Sequence, residues 1–367
     1  MTRYNQRMVF DFVALPDLPA QLHGLLWQIP AGHVATYGDV AEALGNRVAA
    51  KWIGHEMLHH AHHTDCHCHR VVRANGDVGA YISGQPADKI SRLQGEGVAV
   101  ERGRVDLSRY RFRDFRGDRP LERLRQIQES LRGQIDPTYA GVGLPNLIGG
   151  LDVSYAAPRA AVAAYTLFDT ATGQLVWSQT LHAEVHFPYI TSYLTFRELP
   201  VYLALLEQVR AAGQLAPVVL VDGTGILHPR RMGIASHLGI VADMATVGVT
   251  KTLLCGTVAA GPQRSNQAGR SAKARPSTRP ILLDGEALAV AVYPTPKARN
   301  PLYVSPGHRT DCALAQSVVE HFLAGHRLPE PLHWADRLSR AAVQQRAADG
   351  GASRAIIHPP YKGPDDC

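Results

Sequence analysis

The chain has 367 residues, 45% of them hydrophobic, 19% charged, and a formal net charge of +6. That length exceeds what one ordinary domain needs and supplies enough apolar material for packed cores, so two domains are expected. Five cysteines thinly spread over the chain (Cys66, Cys68, Cys255, Cys312, Cys367) exclude a disulfide framework. The polar, mixed-charge run from Met1 to Phe12 does not read as a signal peptide, and no apolar stretch is long enough to span a bilayer. A soluble, cytoplasmic protein without a membrane partner is expected, and its basic balance is compatible with a polyanion.

Leu18 to Gln28 is apolar-periodic and predicts a helix, ended by Ile29-Pro30-Ala31-Gly32. Thr36-Tyr37-Gly38-Asp39 opens a second helix that stops near Gly45-Asn46, and Val48 to Leu58 predicts a third, so the two read as a helix-turn-helix. Residues 100–120 carry many arginines and little apolar period, which predicts a linker or edge extension. Leu121 to Ile135 is an amphipathic helix, and Leu147 to Val153, Ala160 to Phe168 and Leu175 to Leu181 read as strands. Phe196 to Ala211 reads as a helix with Glu198 at its opening, and Val218 to Val221 as a strand buried on both faces. A helix over Met232 to Ala242 and strands over Ala245 to Val249 and Ala287 to Tyr293 follow. Residues 259–280 are expected to be a mobile basic loop, and the chain after Arg340 a frayed tail. The expected division is 1–112, a basic linker 113–120, a second domain 121–345 and a tail 346–367. The fold class is α/β overall, a helical N-terminal domain followed by a mixed α/β one.

Chemistry-bearing residues recur beside turns or at the ends of apolar runs in the second half. They are Asp152 in Gly-Leu-Asp-Val-Ser-Tyr, Glu198 in Phe-Arg-Glu, Asp222 in Val-Asp-Gly-Thr-Gly, Lys251 in Gly-Val-Thr-Lys and His308 in Gly-His-Arg. Asp152 and Asp222 each follow an apolar β run, which would set two carboxylates at neighbouring strand ends. Carboxylates so placed hold the divalent ions that phosphodiester hydrolysis needs. These words, in this order, resemble endonuclease V, the repair nuclease that nicks DNA near deoxyinosine. The resemblance covers roughly residues 120 to 340 and implies a ribonuclease H-like core. It makes Asp152, Glu198 and Asp222 ligands of magnesium, with manganese as the substitute. It makes Lys251 the cation that stabilises phosphate charge, and His308 a metal-site neighbour or proton-transfer group. Pro188-Tyr189-Ile190-Thr191 is similar to the family's strand-separating wedge, with threonine where proline is usual. His228-Pro229-Arg230-Arg231 matches a family word that implies phosphate or base-pocket contacts by His228 and Arg230. Thr224 replaces a histidine common in the family.

In the first half, Cys68-His69-Arg70-Val71-Val72, Gly79-Ala80-Tyr81 and the run 29–41 resemble O6-alkylguanine–DNA alkyltransferases over about residues 8 to 110. This implies a winged helix-turn-helix, with Cys68 as alkyl acceptor, His69 as its base and Glu96 orienting His69. Tyr37, Lys51, Arg70 and Tyr81 would contact DNA or the flipped nucleotide. The chain departs from the family at His67, His60 and Lys51, where proline, asparagine and arginine are usual. The implied partner is double-stranded DNA with deaminated or alkylated bases. Two alternatives stand beside alkyl transfer and DNA nicking: an N-terminal half that only binds lesions, and a nuclease that acts on inosine in RNA. His55-Glu56-Met57-Leu58-His59, with His62 and Asp65 beyond it, fits a zinc-peptidase pattern, but the alkyltransferase match runs through it in register. Adventitious or structural metal binding there is a further expectation, and an ion on Cys68 would block alkyl transfer.

Overall fold

The computed structural model describes residues 15–60, 66–260, 276–294, 298 and 300–349. Contacts divide the chain into residues 1–132 with 186–197, and residues 133–185 with 198–367.

The first unit is mostly helical. Asp17 caps helix α1 (Leu18–Trp27) by accepting from Ala20 N at 2.9 Å. Strand β1 (Ala35–Thr36) leads into α2 (Tyr37–Ala43) through a capping box. In it Asp39 N donates to Thr36 Oγ1 at 3.1 Å and Thr36 N to Asp39 Oδ2 at 2.9 Å. Such a cap contributes about 1 kcal/mol by satisfying amides that the helix leaves unpaired. A 3-10 turn over Arg47–Ala49 runs into α3 (Ala50–His59), completing the expected helix-turn-helix. Gly45 permits the sharp turn: its φ is +101°, and a Cβ there would stand 2.6 Å from Glu122 N. Strand β2 (Val71–Val72) pairs in parallel with β1, and α4 (Pro86–Gly95) follows.

The arginine-rich stretch is structured at its start. A hairpin, β3 (Val100–Glu101) and β4 (Arg104–Val105), leads to a single helical turn α5 (Leu107–Tyr110). Arg111 then clamps Asp39 through Nε and Nη2, at 2.9 and 2.7 Å. Helix α6 (Pro120–Leu131) also belongs to this unit. Phe187, Ile190, Tyr193 and Phe196 join Leu18, Leu22, Ile53, Val71 and Leu121 in its core.

The second unit is built on a nine-stranded mixed sheet. Strands β5 (Leu147–Ala157), β6 (Ala160–Asp169) and β7 (Leu175–Glu184) form an antiparallel meander. Helix α7 (Leu194–Ala211) precedes β8 (Val218–Asp222), which lies parallel to β5. Glu198 therefore falls in the second turn of α7 and does not open it, because the helix begins four residues before it. After α8 (Ile234–Val241), β9 (Ala245–Thr250) lies parallel to β8. A short edge strand β10 (Thr257–Val258) and three longer strands, β11 (Ser277–Leu283), β12 (Glu286–Tyr293) and β13 (Leu302–Pro306), then extend the sheet in antiparallel fashion, in the order β10-β11-β12-β13-β9. Along β8, Val219 and Val221 enter one core and Val218 and Leu220 the other, as expected of a strand covered on both faces.

The expected basic loop 259–280 lies mostly outside the described residues, but its end, 277–280, is β-strand. Pro280 is tolerated there because its carbonyl accepts from Ala259 N, so the missing N–H falls on the side of the thin edge. The expected frayed tail is corrected over 341–349. After α9 (Cys312–His321), helix α10 (Glu330–Asp349) runs through it and buries Leu332, Ala335 and Ser339. Only Leu332 in that buried stripe is large and apolar, so it is faint in sequence. Among the described residues no helix is long and apolar enough to cross a membrane.

Candidate active sites

The parallel register of β5 and β8 sets Leu151 opposite Val221, so Asp152 and Asp222 follow side by side. Asp152 is 6% exposed and Glu198, reaching in from α7, 5%. Asp222 is the last residue of β8, and Gly223 turns the chain away with φ +149°; a Cβ there would stand 2.3 Å from Ile234 Cγ2. Lys251, just past β9, brings Nζ to 3.2 Å from Asp222 Oδ2. The Tyr155 hydroxyl donates to Glu198 Oε1 at 2.9 Å, and Ser339 Oγ donates to Asp152 Oδ2 at 3.3 Å. Burial holds the Asp152 carboxyl well above the usual carboxylate range, and the charges of Asp222, Asp336 and Glu198 add to this while Lys251 opposes it. The same charges reach Tyr202, whose phenol is raised by burial first and then by Glu198, Asp152 and Asp222; its hydroxyl is buried without a hydrogen-bond partner.

Asp336 is paired with Arg340 at 2.8 Å, which leaves Asp152, Glu198 and Asp222 beside the single cation of Lys251, a set that a hard divalent cation with oxygen ligands would complement. The donor set fits such an ion. The carboxylate oxygens are not tightly gathered: among the described residues the group with all ligand atoms within 4.8 Å is His60, Cys66 and Cys68. A hard ion that keeps several waters and takes few protein oxygens suits the looser spacing.

His308 is not drawn into the carboxylates' charge. It is 7% exposed, its Nδ1 accepts from Asp136 N at 3.2 Å, and burial, then Arg309, lowers its pKa against Asp136 and Asp243. His228 is buried with Nδ1 accepting from Arg230 N at 3.2 Å, while Arg231 is tied to Asp284 at 3.1 Å and Glu286 at 3.4 Å. Tyr189 is 57% exposed. The sequence reading missed Tyr155, Tyr202, Asp336 and Ser339, which carry no local signal.

In the first unit, Cys68 lies in a 3-10 turn (His67–Arg70) and is 3% exposed. His69 Nε2 meets Glu96 Oε1 at 2.7 Å. Burial lowers the His69 pKa and outweighs Glu96, so the ring is neutral with its proton on Nε2, facing the carboxylate. That leaves Nδ1 as the basic nitrogen, buried and without a hydrogen-bond partner. Arg70, expected at the DNA, is 7% exposed, and its guanidinium is held by Glu96, Ile29 O at 2.6 Å and His67 Nδ1 at 2.9 Å. Tyr81 is buried beside Cys68, and burial pushes its phenol up to about 12. Tyr37 is raised by burial, with Arg73 opposing and Cys68 adding. Lys51 is exposed.

Three further residues complete this site. Lys89, 1% exposed, donates to Val71 O and Val78 O, both at 2.6 Å. His60 Nε2 lies 3.1 Å from Cys66 Sγ. The Cys68 side chain, then His60, lowers the Cys66 pKa, and the contact with Cys66, then burial, raises that of Cys68. His60 stood out in the sequence only as the residue replacing a usual asparagine, and Cys66 carried no signal of its own. His62 and Asp65 lie outside the described residues.

The family model described as Endonuclease V matches residues 129–337, more than half of the chain. The chain belongs to the endonuclease V family. Members of that family are generally metal-dependent nucleases. A second model, the DNA binding domain of 6-O-methylguanine DNA methyltransferase, matches residues 19–98. The chain is 35% identical over 245 residues to a bifunctional methyltransferase/endonuclease of Picrophilus torridus, covering 67% of this chain and 78% of that one. The crystal structure of the catalytic domain of human endonuclease V is 30% identical with a TM-score of 0.55, over 64% of this chain and 99% of that one. Endonuclease V of Ciona intestinalis, solved with a 24mer DNA containing an inosine followed by a ribo-adenosine, is 29% identical with a TM-score of 0.53, over 62% of this chain and 99% of that one.

Proposed function

We propose that this chain is a bifunctional DNA-repair protein: a magnesium-dependent endonuclease that nicks DNA at the second phosphodiester 3′ of deoxyinosine, with an N-terminal domain that binds O6-alkylguanine and transfers its alkyl group to Cys68. The observation that carries the nuclease is the pairing of Asp152 with Asp222 on parallel strands, with Lys251 at 3.2 Å from the second carboxylate. The inosine-containing DNA bound by the Ciona protein supports the substrate.

Asp152, Asp222 and Glu198 would hold the magnesium, with manganese as a substitute. When bound, the ion supplies an activated water and charge stabilisation at the leaving oxygen. Tyr155 and Ser339 fix the rotamers of Glu198 and Asp152 through their hydroxyls. Lys251 places a positive charge beside Asp222, where phosphate charge develops. His308, neutral with Nδ1 engaged, presents an Nε2–H that can donate a hydrogen bond to a phosphate oxygen beside the metal site. Exposed Tyr189 is the wedge that replaces stacking lost when the base leaves the duplex, and His228 and Arg230 contact phosphate or the base.

In the alkyl transfer, neutral His69 takes the Cys68 proton through a water. The Cys68 sulfur then forms a bond to the alkyl carbon as the carbon–O6 bond breaks. The electron pair goes to guanine, which regains one proton, and Cys68 ends as a thioether. Tyr37, Tyr81 and Lys51 would border the flipped nucleotide. A second reading, lesion binding without turnover, is favoured by the surroundings of the thiol: Cys68 is 3% exposed, and its contact with Cys66, then burial, raises its pKa.

The test uses two end-labelled duplexes, one with a single deoxyinosine and one with a single O6-methylguanine. Magnesium-dependent nicking of the first that vanishes in Asp222→Ala is expected, as is methyl loss from the second that vanishes in Cys68→Ala. No nicking of inosine DNA with magnesium or manganese would overturn the nuclease reading. Retained binding without methyl loss would leave the binding-module reading.

A further inference from the structure

The geometry points to a soft-metal site made by His60, Cys66 and Cys68, a thiolate–imidazole set that takes zinc(II) or a chemically similar ion and withdraws Cys68 from alkyl transfer while it is filled. The second half of this statement rests on the reading of Cys68 as the alkyl acceptor.

The three donor atoms all lie within 4.8 Å of one another, and no other such group of histidine, cysteine and carboxylate ligands occurs among the described residues. Two sulfurs and an imidazole nitrogen are the set that zinc selects over magnesium. In a tetrahedral site with zinc–sulfur bonds of about 2.3 Å, the two sulfurs stand about 3.8 Å apart and sulfur and nitrogen about 3.6 Å. The observed 3.1 Å between His60 Nε2 and Cys66 Sγ is a hydrogen bond. An ion replacing the shared proton would open it by about half an ångström, a side-chain adjustment.

His60 is already oriented as a ligand. Its Nδ1 lies 3.0 Å from Glu56 O, which can only accept. Nδ1 therefore carries a proton and Nε2 is the nitrogen turned toward Cys66, the arrangement by which metal-bound histidines are held. His60 is 7% exposed and Cys68 3%, so the ion would be shielded from water on the protein side. A second imidazole adjoins the cluster: the His23 ring packs edge-on to His60 with centroids 5.4 Å apart, and its buried Nε2 has no hydrogen-bond partner. The zinc-peptidase-like pair is a different set. His55 and His59 stack at 4.1 Å, and His59 Nδ1 is taken by His55 O at 2.7 Å.

An ion on Cys68 shares the lone pair that would attack the alkyl carbon. The filled and reactive forms of the first unit therefore exclude each other, and zinc sets how much acceptor is available.

The test titrates the reduced, metal-stripped full chain with cobalt(II), whose thiolate charge-transfer absorption reports sulfur ligation and is blind to an all-oxygen site. Excess magnesium is present throughout. The expected result is one band that saturates at one equivalent, is displaced by zinc(II), falls by half or more in Cys66→Ser and in Cys68→Ser, weakens in His60→Ala and is unchanged in Cys312→Ser. X-ray absorption of the wild type with one equivalent of zinc, which needs no variant, should show two sulfur neighbours at about 2.3 Å. A missing band, or one that survives Cys66→Ser intact, overturns the site. Methyl transfer from O6-methylguanine DNA should then drop tenfold or more with zinc and return with a chelator. Unchanged transfer at saturating zinc overturns the withdrawal of Cys68. A chain that binds cobalt through sulfur but never dealkylates, with or without zinc, keeps the metal site and sinks the acceptor reading alone.

Discussion

The hydroxyl of Tyr193 accepts from Asn46 Nδ2 at 2.9 Å and donates to Leu121 O at 3.0 Å. Asn46 also accepts from Val48 N at 3.1 Å, so the turn between α2 and α3 is pinned by a tyrosine 147 positions downstream. Tyr193 is fully buried. Tyr193→Phe leaves Leu121 O without its buried donor and should cost about 1–3 kcal/mol. Urea unfolding followed at the first unit should show an earlier midpoint in Tyr193→Phe and Asn46→Ala, with the double variant less than additive. Equal midpoints in all four proteins would remove the bridge from the account.

Asp152→Asn and Asp222→Asn keep size but lose charge at the strand ends. Each should lower nicking of inosine DNA by at least about 10²–10³-fold, and Lys251→Met by a similar factor, as expected when a preorganised electrostatic contact is removed. Single-turnover gel assays at saturating protein measure this, and full activity in either asparagine variant would remove these carboxylates from the site. Chelation should silence the wild type, and magnesium should restore it.

Tyr155 and Ser339 orient carboxylates and do not themselves offer the ion a charge. Tyr155→Phe and Ser339→Ala should raise the magnesium concentration for half-maximal nicking by about 10-fold, with a smaller loss at saturation. A drop in maximal rate with an unmoved magnesium dependence would instead mark a general structural role.

Lys89 gives a pH signature. Burial pushes its ammonium down from 10.5 to about 8, with Arg73 adding to this and Cys68 and Asp77 opposing. The folded chain thus releases a proton at about 8 that the unfolded chain keeps until 10.5. Between those values the unfolded state binds more protons, so this group makes the fold more stable as pH rises. The gain is on the order of 3 kcal/mol across the window. Lys89→Met removes it, so the wild type should gain on the variant from pH 7.5 to pH 10.5 in urea unfolding. A difference that stays flat over that range contradicts the assignment.

Tyr189, 57% exposed, carries the proposed wedge role. Tyr189→Ala should weaken nicking of inosine-containing duplex more than of inosine-containing single strand, by the stacking worth about 1–3 kcal/mol per base. Equal losses on both substrates would remove the wedge role.

Much of this was legible along the chain because the forces involved are local. The Thr36–Asp39 capping box closes over three residues, the Val218–Val221 run shows its two-sided burial by composition, and Asp222 announces a strand end through the glycine after it. Strand β11 escaped because of Pro280, which its place beside the thin edge excuses, and α10 because only Leu332 in its buried stripe is large and apolar. Composition and spacing determined the α/β character and set Asp152 and Asp222 at strand ends, and the resemblance to alkyltransferases brought Cys68 forward. The tertiary structure alone decided the company they keep. Register set Asp152 beside Asp222, α10 brought Ser339 to Asp152, and Arg70 was buried against Glu96. The path of the chain carried Tyr193 back to Asn46 and folded His60 onto Cys66 and Cys68. Hydrogen bonds and charge act through space over a few ångströms, and no sequence period encodes which distant residues a fold brings within that reach.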